Sequence, residues 1–458
     1  MSLLTIAWRN FCHRSLSSFL TTLSLALGVG LVVTVLSVYG IIREAFERNA
    51  AVGYNLVVGP KGSALQLTLN SVYYLSQPIE NLPYTEYMEF LPMAKRAELV
   101  QKFGGDPALA ERDGKYAVYI GDGFAIPLAL GDFLGEFRLV GTVPEFFEKL
   151  RHGPNVDQEF TFREGRALQE NSKEHGFFEA VLGNRVADEM RLGVGDVINP
   201  KHGNPDGKDH AEGFTVVGIM NPTGTPNDRA AFVNLEGFYL MEGHAKPVDA
   251  ETEEALRQQW SGSESASGDG ATPLSIPARE VTSILIKNGN VMFAPAMQNL
   301  IQEDVRAQAA APVGEIRKLM ATVVGPLSGA LLVITLITCV VAAVGVLVAI
   351  YNSMNDRKRD IAVMRALGAR RETVTAIILA ESLLIAFIGG ITGWLIAHAG
   401  LYSQAARIED QTGVSVGPLT MSSYEIYVLP LVVALALLAG IIPALTAYRT
   451  DVAQNLSA

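Results

Sequence analysis

Four runs of apolar residues, at about 15–42, 319–355, 374–400 and 426–448, are separated by one long mixed stretch and two short ones. Each reaches the roughly 20 residues that a helix needs to cross a bilayer's hydrocarbon core. The first two runs hold no Asp, Glu, Lys or Arg; the third holds Glu381 near its start and His398 near its end. Four membrane-spanning helices are expected. At about 1.5 Å per residue the second run would exceed roughly 50 Å, against a core of about 30 Å. Part of it is therefore expected to project beyond the lipid as a stalk, with Pro326 marking a bend.

Residues 43–318 change rhythm. Short stretches at 54–63, 116–122, 137–143, 214–220, 230–235 and 281–287 are rich in Val, Ile, Tyr and Phe and bounded by Gly, Pro, Asn or Asp, which predicts strands. Helical patterns fall at 84–103, 184–192 and 294–311. The fold class expected is an α-helical membrane protein with four transmembrane helices and a large α+β extracytoplasmic domain inserted between the first and second. The expected boundaries are 1–43, 44–316 and 317–458. Between 252 and 277 the Ser/Gly-rich "SGSESASGDGATP" cannot supply a core and reads as a flexible loop.

Composition agrees: 458 residues are 49% hydrophobic and 18% charged, oily for a soluble protein yet too polar for a wholly embedded one. Charge then orients the spans. Arg9 and Arg14 precede the first; Arg357, Lys358, Arg359, Arg365, Arg370 and Arg371 separate the second and third; Arg449 follows the fourth. Lys and Arg are retained on the cytoplasmic side, so residues 43–318 lie outside. That segment holds 26 Lys/Arg against 39 Asp/Glu. An acidic outer domain gives no reason to expect a nucleic acid partner. A cleaved signal sequence is the alternative for the first run, but it is longer than an h-region of about 7–15 residues and no small-x-small site follows. Cys12 and Cys339 lie outside the outer domain, which must fold without disulfides.

Candidate chemistry is sparse. No G-x-x-x-x-G-K-[ST], G-x-S-x-G, H-E-x-x-H or CxxC occurs, so neither an ATPase nor another enzyme is expected in this sequence. The loop "NPKHGNPDGKDHAEGF" at 199–214 gathers His202, Asp206, Asp209, His210 and Glu212, a donor set that suits a transition metal. Polar turn residues between two strands explain the same letters, and no metal site is assigned. Gly389-x-x-x-Gly393 in the third span, and Gly28 and Gly30 in the first, would let helices approach closely, within a chain or between two copies. Glu381 is costly in lipid and is expected to face protein or the cytoplasmic interface.

The basic segment between the second and third spans, 355–372, places Ile361, Met364 and Leu367 at helical spacing with Gly368 as a stop. Taken alone it suits a helix held to anionic lipid. The stretch "DRKRDIAVMRALGARRETVTAIILAESLLIAFIGGITGWLIA" resembles the C-terminal module of the FtsX-like permeases, the ABC transporter permease family that includes MacB, LolC/LolE and FtsX. "GIIPALTAYRTDVAQNL" and "AWRNFCHRSLSSFLTTLSLALGVG" are similar to the family's last and first spans. "IPLALGDFLGEFRLVGTVPEFF" and "FTVVGIMNPTGTPNDRAAFVNLEGF" resemble a MacB-like periplasmic core domain.

The resemblance implies a non-catalytic subunit of the bacterial inner membrane. Its coupling helix would dock on a separate ABC ATPase, which binds the ATP and Mg; no cofactor is expected in this chain. Arg359, Asp360, Ile361, Met364, Arg365, Leu367 and Gly368 stand at the coupling positions. The sequence departs from MacB, which carries a fused ATPase, toward the LolC/LolE and FtsX arrangement. A second permease copy is implied, as a homo- or heterodimer, and a periplasmic adaptor or lipoprotein fits as a further partner. By mechanotransmission such a dimer would drive lipoprotein export or extraction of a lipid or peptide. The alternative is an FtsX-like transducer that activates a cell-wall hydrolase.

Overall fold

The computed structural model describes residues 3–13, 15–50, 53–153, 156–246, 273–356, 368–405, 407 and 421–449. The chain divides into two units, Met1–Glu44 with Met320–Ala458, and Ala45–Leu319.

Twelve strands occur among the described residues of the second unit. They are β1 (Leu56–Pro60), β2 (Leu82–Pro83), β3 (Phe124–Leu134), β4 (Phe137–Thr142), β5 (Phe162–Gly165), β6 (Glu179–Leu182), β7 (Val197–Ile198), β8 (Phe214–Met220), β9 (Ala230–Asn234), β10 (Glu280–Val281), β11 (Ser283–Lys287) and β12 (Ala307–Ala310). Ten form one sheet in the order β12-β1-β11-β3-β4-β9-β6-β8-β5, with β7 beside β8; β2 and β10 pair separately. Only β4–β9 and β6–β8 run parallel. In the centre, Val140 lies opposite Phe232 and Phe232 opposite Val181. Every residue of β4, β6 and β9 is buried, as near-continuous apolar strands covered on both faces must be. Short helices complete the core through Tyr84, Tyr87, Phe103, Phe238, Met297 and Ile301.

Five of the six expected strands form within their stretches. The exception, 116–122, holds one helical turn, Ala117–Ile120. Tyr116 and Ile120, four residues apart, are buried there while Val118 is exposed, a helical rather than an alternating pattern. The expected helix at 84–103 breaks at Pro92 into Tyr84–Met88 and Met93–Phe103. The expected helix at 294–311 stops at Gln302, and β12 follows. "AQAA" has little strand propensity of its own, and pairing with the otherwise open edge of β1 overrides this. The Ser/Gly-rich stretch before Pro273 lies outside the described residues.

The other unit is helical. Helices Ser15–Ala50, Gly325–Asp356, Arg371–Ser403 and Val428–Arg449 share a core that includes Leu25, Val29, Val33, Cys339, Ala386, Ala397, Val428 and Val432. Three segments among the described residues are long and apolar enough to cross a membrane: Ser18–Arg43, Pro312–Gly345 and Arg371–Ser403. The fourth apolar run is a helix over Val428–Arg449, 22 residues long. On Gly325–Asp356 the side chains of Leu327, Leu331, Ile334, Ile337, Val341 and Val344 are exposed within the chain, an apolar surface that suits lipid or protein rather than water. The irregularity near Pro326 takes the form of a π-helical turn, Met320–Val324, just before it. A proline has no N–H and crowds the carbonyl four residues back, and a wider turn relieves both.

Candidate functional site

The positions singled out in the membrane unit fall into two groups. Arg359, Asp360, Ile361, Met364, Arg365 and Leu367 lie outside the described residues. Gly368 is described: it has φ +101° and stands just before the Arg371–Ser403 helix. Among the described residues a Cβ there would meet nothing within 4 Å, and the positive φ by itself favours glycine.

The other group is the helix crossing. A Cβ built at Gly393 would lie 2.4 Å from the Ala26 carbonyl oxygen and 3.0 Å from the Gly30 nitrogen; one at Gly30 would lie 3.1 Å from the Gly393 oxygen. One turn away, a Cβ at Gly389 would meet the Thr22 carbonyl and the Leu25 side chain at 3.2 Å. The Arg371–Ser403 helix thus lays its glycine pair directly on the backbone of Ser15–Ala50, and this contact lies within one chain. Gly28 faces elsewhere, toward Cys339 and Ala342 of Gly325–Asp356. Two glycines two residues apart point to different neighbours because they lie about 200° apart around the helix.

Glu381 is buried on the Arg371–Ser403 helix. Beside it, Ser382 abuts the last helix: a Cβ at Gly440 would fall 2.4 Å from Ser382 Oγ.

A second buried acid, Glu425, escaped the sequence reading. It stands in the short turn Ser423–Tyr427 that leads into the last helix. Its Oε1 accepts from Ser37 Oγ at 2.8 Å and from the Ser422 amide at 3.0 Å. Its Oε2 accepts from Trp394 Nε1 at 3.2 Å and lies 3.1 Å from His398 Nε2. One carboxylate therefore ties the first long helix, the third and the start of the fourth. Ser422 and Glu425 form a capping box, and the S-x-x-E spacing was the signal available in the sequence.

Glu425→Ala is expected to lower the stability of the detergent-solubilised chain by about 2 kcal/mol, because several buried donors lose their acceptor. Glu425→Gln, which keeps two acceptor lone pairs, should lose less. Equal melting of Glu425→Ala and the parent would mean that this carboxylate does not hold the helices.

Comparison with known proteins places these features in context. Residues 18–262 match a family model described as the MacB-like periplasmic core domain, and residues 332–452 match one described as FtsX-like permease C-terminal. An uncharacterized ABC transporter permease of Methanocaldococcus jannaschii is 22% identical over 401 residues, covering 85% of this chain and 81% of that protein. A macrolide export ATP-binding/permease protein MacB of Syntrophobacter fumaroxidans is 23% identical over 304 residues, 57% of this chain and 39% of that one. An uncharacterized ABC transporter permease of Bacillus subtilis is 30% identical over 93 residues, 20% of this chain and 22% of its own.

Proposed function

The chain belongs to the ABC transporter permease family that joins a MacB-like periplasmic core domain to an FtsX-like permease region, and on that premise we propose that it converts the stroke of a separate ATPase into movement of its outer domain. The order of the two matched regions carries this reading: the core-domain match begins in the first apolar helix, and the permease match runs from within the second to the end of the fourth. The Val428–Arg449 helix crosses the inner membrane with the other three, and the outer domain faces the periplasm.

ATP and Mg bind to the partner ATPase. Closure of the ATPase pushes the coupling segment at 355–372, in which Ile361, Met364 and Leu367 present an apolar face while Arg359, Asp360 and Arg365 orient it. The glycine crossing at Gly30 and Gly393 and the Glu425 network hold the helices together, so that a push at one end is transmitted rather than absorbed. Two copies act together, and their outer domains extract or expel an amphiphile such as a lipoprotein, lipid or peptide. Two features support an external substrate path: the outer domain is large, and intramembrane charge is sparse.

The test is at the coupling face. Met364→Glu or Leu367→Glu is expected to cut capture of the ATPase, and the permease-stimulated turnover, about tenfold or more, since a charge is forced into an apolar contact. The amount of folded permease should stay the same. Unchanged complex formation and turnover would sink the docking role.

A further inference from the structure

Away from the membrane, one carboxylate and three imidazoles converge in the outer unit from three separate parts of the chain. Asp132 lies where the register between β3 and β4 shifts, between Leu130 and Phe133. Such a bulge re-aims a side chain out of the strand's normal alternation. His202 and His210 sit on the loop after β7, which is fastened to the same bulge. Lys201 and Phe133 exchange backbone hydrogen bonds of 2.7 and 3.0 Å, and the His202 and His210 amides donate to the Lys208 and Pro200 carbonyls at 3.0 and 2.9 Å. His244 follows the Leu235–Leu240 helix, with its ring edge-on to Phe238 at 4.5 Å.

The donor atoms are spaced as a small cation requires. Asp132 Oδ2 lies 3.0 Å from His210 Nε2 and 2.9 Å from His244 Nε2; His210 Nε2 and His244 Nε2 are 3.4 Å apart; His202 Nδ1 is 3.6 Å from Asp132 Oδ1. One donor from each residue lies within 4.8 Å of every other. A tetrahedral zinc with bonds of about 2.0–2.1 Å has ligand-to-ligand edges of about 3.3 Å.

A purely hydrogen-bonded cluster explains the site less well. Asp132 is 1% exposed, and its Oδ2 has no aligned hydrogen-bond donor despite two imidazole nitrogens at hydrogen-bonding distance. Its Oδ1 accepts from the Gly203 amide at 3.2 Å, which leaves Oδ2 aimed at the gap among the rings. A buried carboxylate oxygen held only by poorly aligned imidazole nitrogens at 2.9 and 3.0 Å is under-satisfied, and a cation between it and the rings removes that cost.

We propose that Asp132, His202, His210 and His244 bind one divalent transition-metal ion of the zinc class. Imidazole and carboxylate donors without thiolate suit such an ion. Four protein ligands complete a tetrahedron and leave no open position, so the ion acts as a pin rather than a catalyst. It fastens the bulge of β3, the 199–213 loop and the turn that follows the Leu235–Leu240 helix. The sequence paired His202 and His210 with Asp206, Asp209 and Glu212; the structure replaces those three with Asp132 and His244, and Asp206 and Asp209 point to solvent.

The detergent-solubilised full chain, stripped with a chelator, is titrated with Zn²⁺ alone and then separately with Co²⁺. One ion per chain is expected, with the intense visible absorption of four-coordinate Co²⁺ and a Zn²⁺-dependent rise in melting temperature. His210→Ala should abolish these. His202→Ala, at a ring with much exposed surface and little packing role, should weaken binding about tenfold or more without altering the metal-free melt. Asp209→Asn should bind as the parent does. Stripped parent protein that takes up no Zn²⁺ saturably would overturn the site, as would equal affinity in the parent and His202→Ala, and the latter decides even if His210→Ala fails to fold.

Discussion

Arg279→Ala is expected to destabilise the outer domain by about 3–5 kcal/mol. The Arg279 side chain is fully buried; its Nη1 and Nη2 donate to the two oxygens of Glu236 at 2.6 Å each, and Nε donates to the Leu274 carbonyl at 2.7 Å. The guanidinium also lies 3.5 Å from the centre of the Phe103 ring. Burial pulls its pKa down, but the Glu236 carboxylate outweighs this and holds it above the ordinary value. The pair joins the Leu235–Leu240 helix, the Met93–Phe103 helix and the chain just before β10.

Removing the arginine leaves Glu236 buried without its counter-charge, which costs more than the pair itself contributes. Replacing both residues by Met should therefore recover most of the loss. Hydrogen exchange of peptides covering 230–246 and 273–287 in the intact protein reads the effect. A single variant within about 1 kcal/mol of the parent, or a double variant worse than either single, would show that the pair does not carry the packing there.

The second large effect is at the helix crossing. Gly393→Leu should cost more than about 3 kcal/mol, beyond ordinary overpacking, because the obstacle is backbone rather than a side chain that can turn away. With the Ala26 carbonyl 2.4 Å from the new Cβ, the Ser15–Ala50 and Arg371–Ser403 helices must separate, and the core containing Leu25, Val29 and Ala386 opens with them. Little monodisperse protein should survive extraction. Gly30→Ala asks for a few tenths of an ångström and should be milder. Gly345→Ala meets nothing within 4 Å among the described residues and serves as the control. If Gly393→Leu and Gly345→Ala melted alike, the two helices would not be in close contact.

Much of the fold was legible wherever burial follows a local period. The apolar runs coincide with helices, and β1, β4, β8, β9 and β11 fall within stretches rich in branched and aromatic residues. The failures share a cause. The stretch at 116–122 and β12 are both short: Ala117–Ile120 closes into one helical turn that buries Tyr116 and Ile120, and pairing with the edge of β1 decides β12. β3, the longest strand at 11 residues, passed unread because Pro127, Gly131 and Asp132 look like turn residues. In the structure they lie between two neighbouring strands, and the last two fall at the bulge.

By itself the sequence determined what depends on neighbours along the chain: four apolar helices, an acidic α+β domain between the first and second, and a basic stretch at 355–372. Only the tertiary structure decided which residues meet across long separations. It gave Gly28 and Gly30 different neighbours, made Glu425 the acceptor for Ser37 and Trp394, and set Asp132 and His244 beside the two histidines of one loop. Periodicity says which face of an element is buried but not against what. The partner is chosen by strand order, bulge position and helix crossing, each a balance of packing over the whole unit.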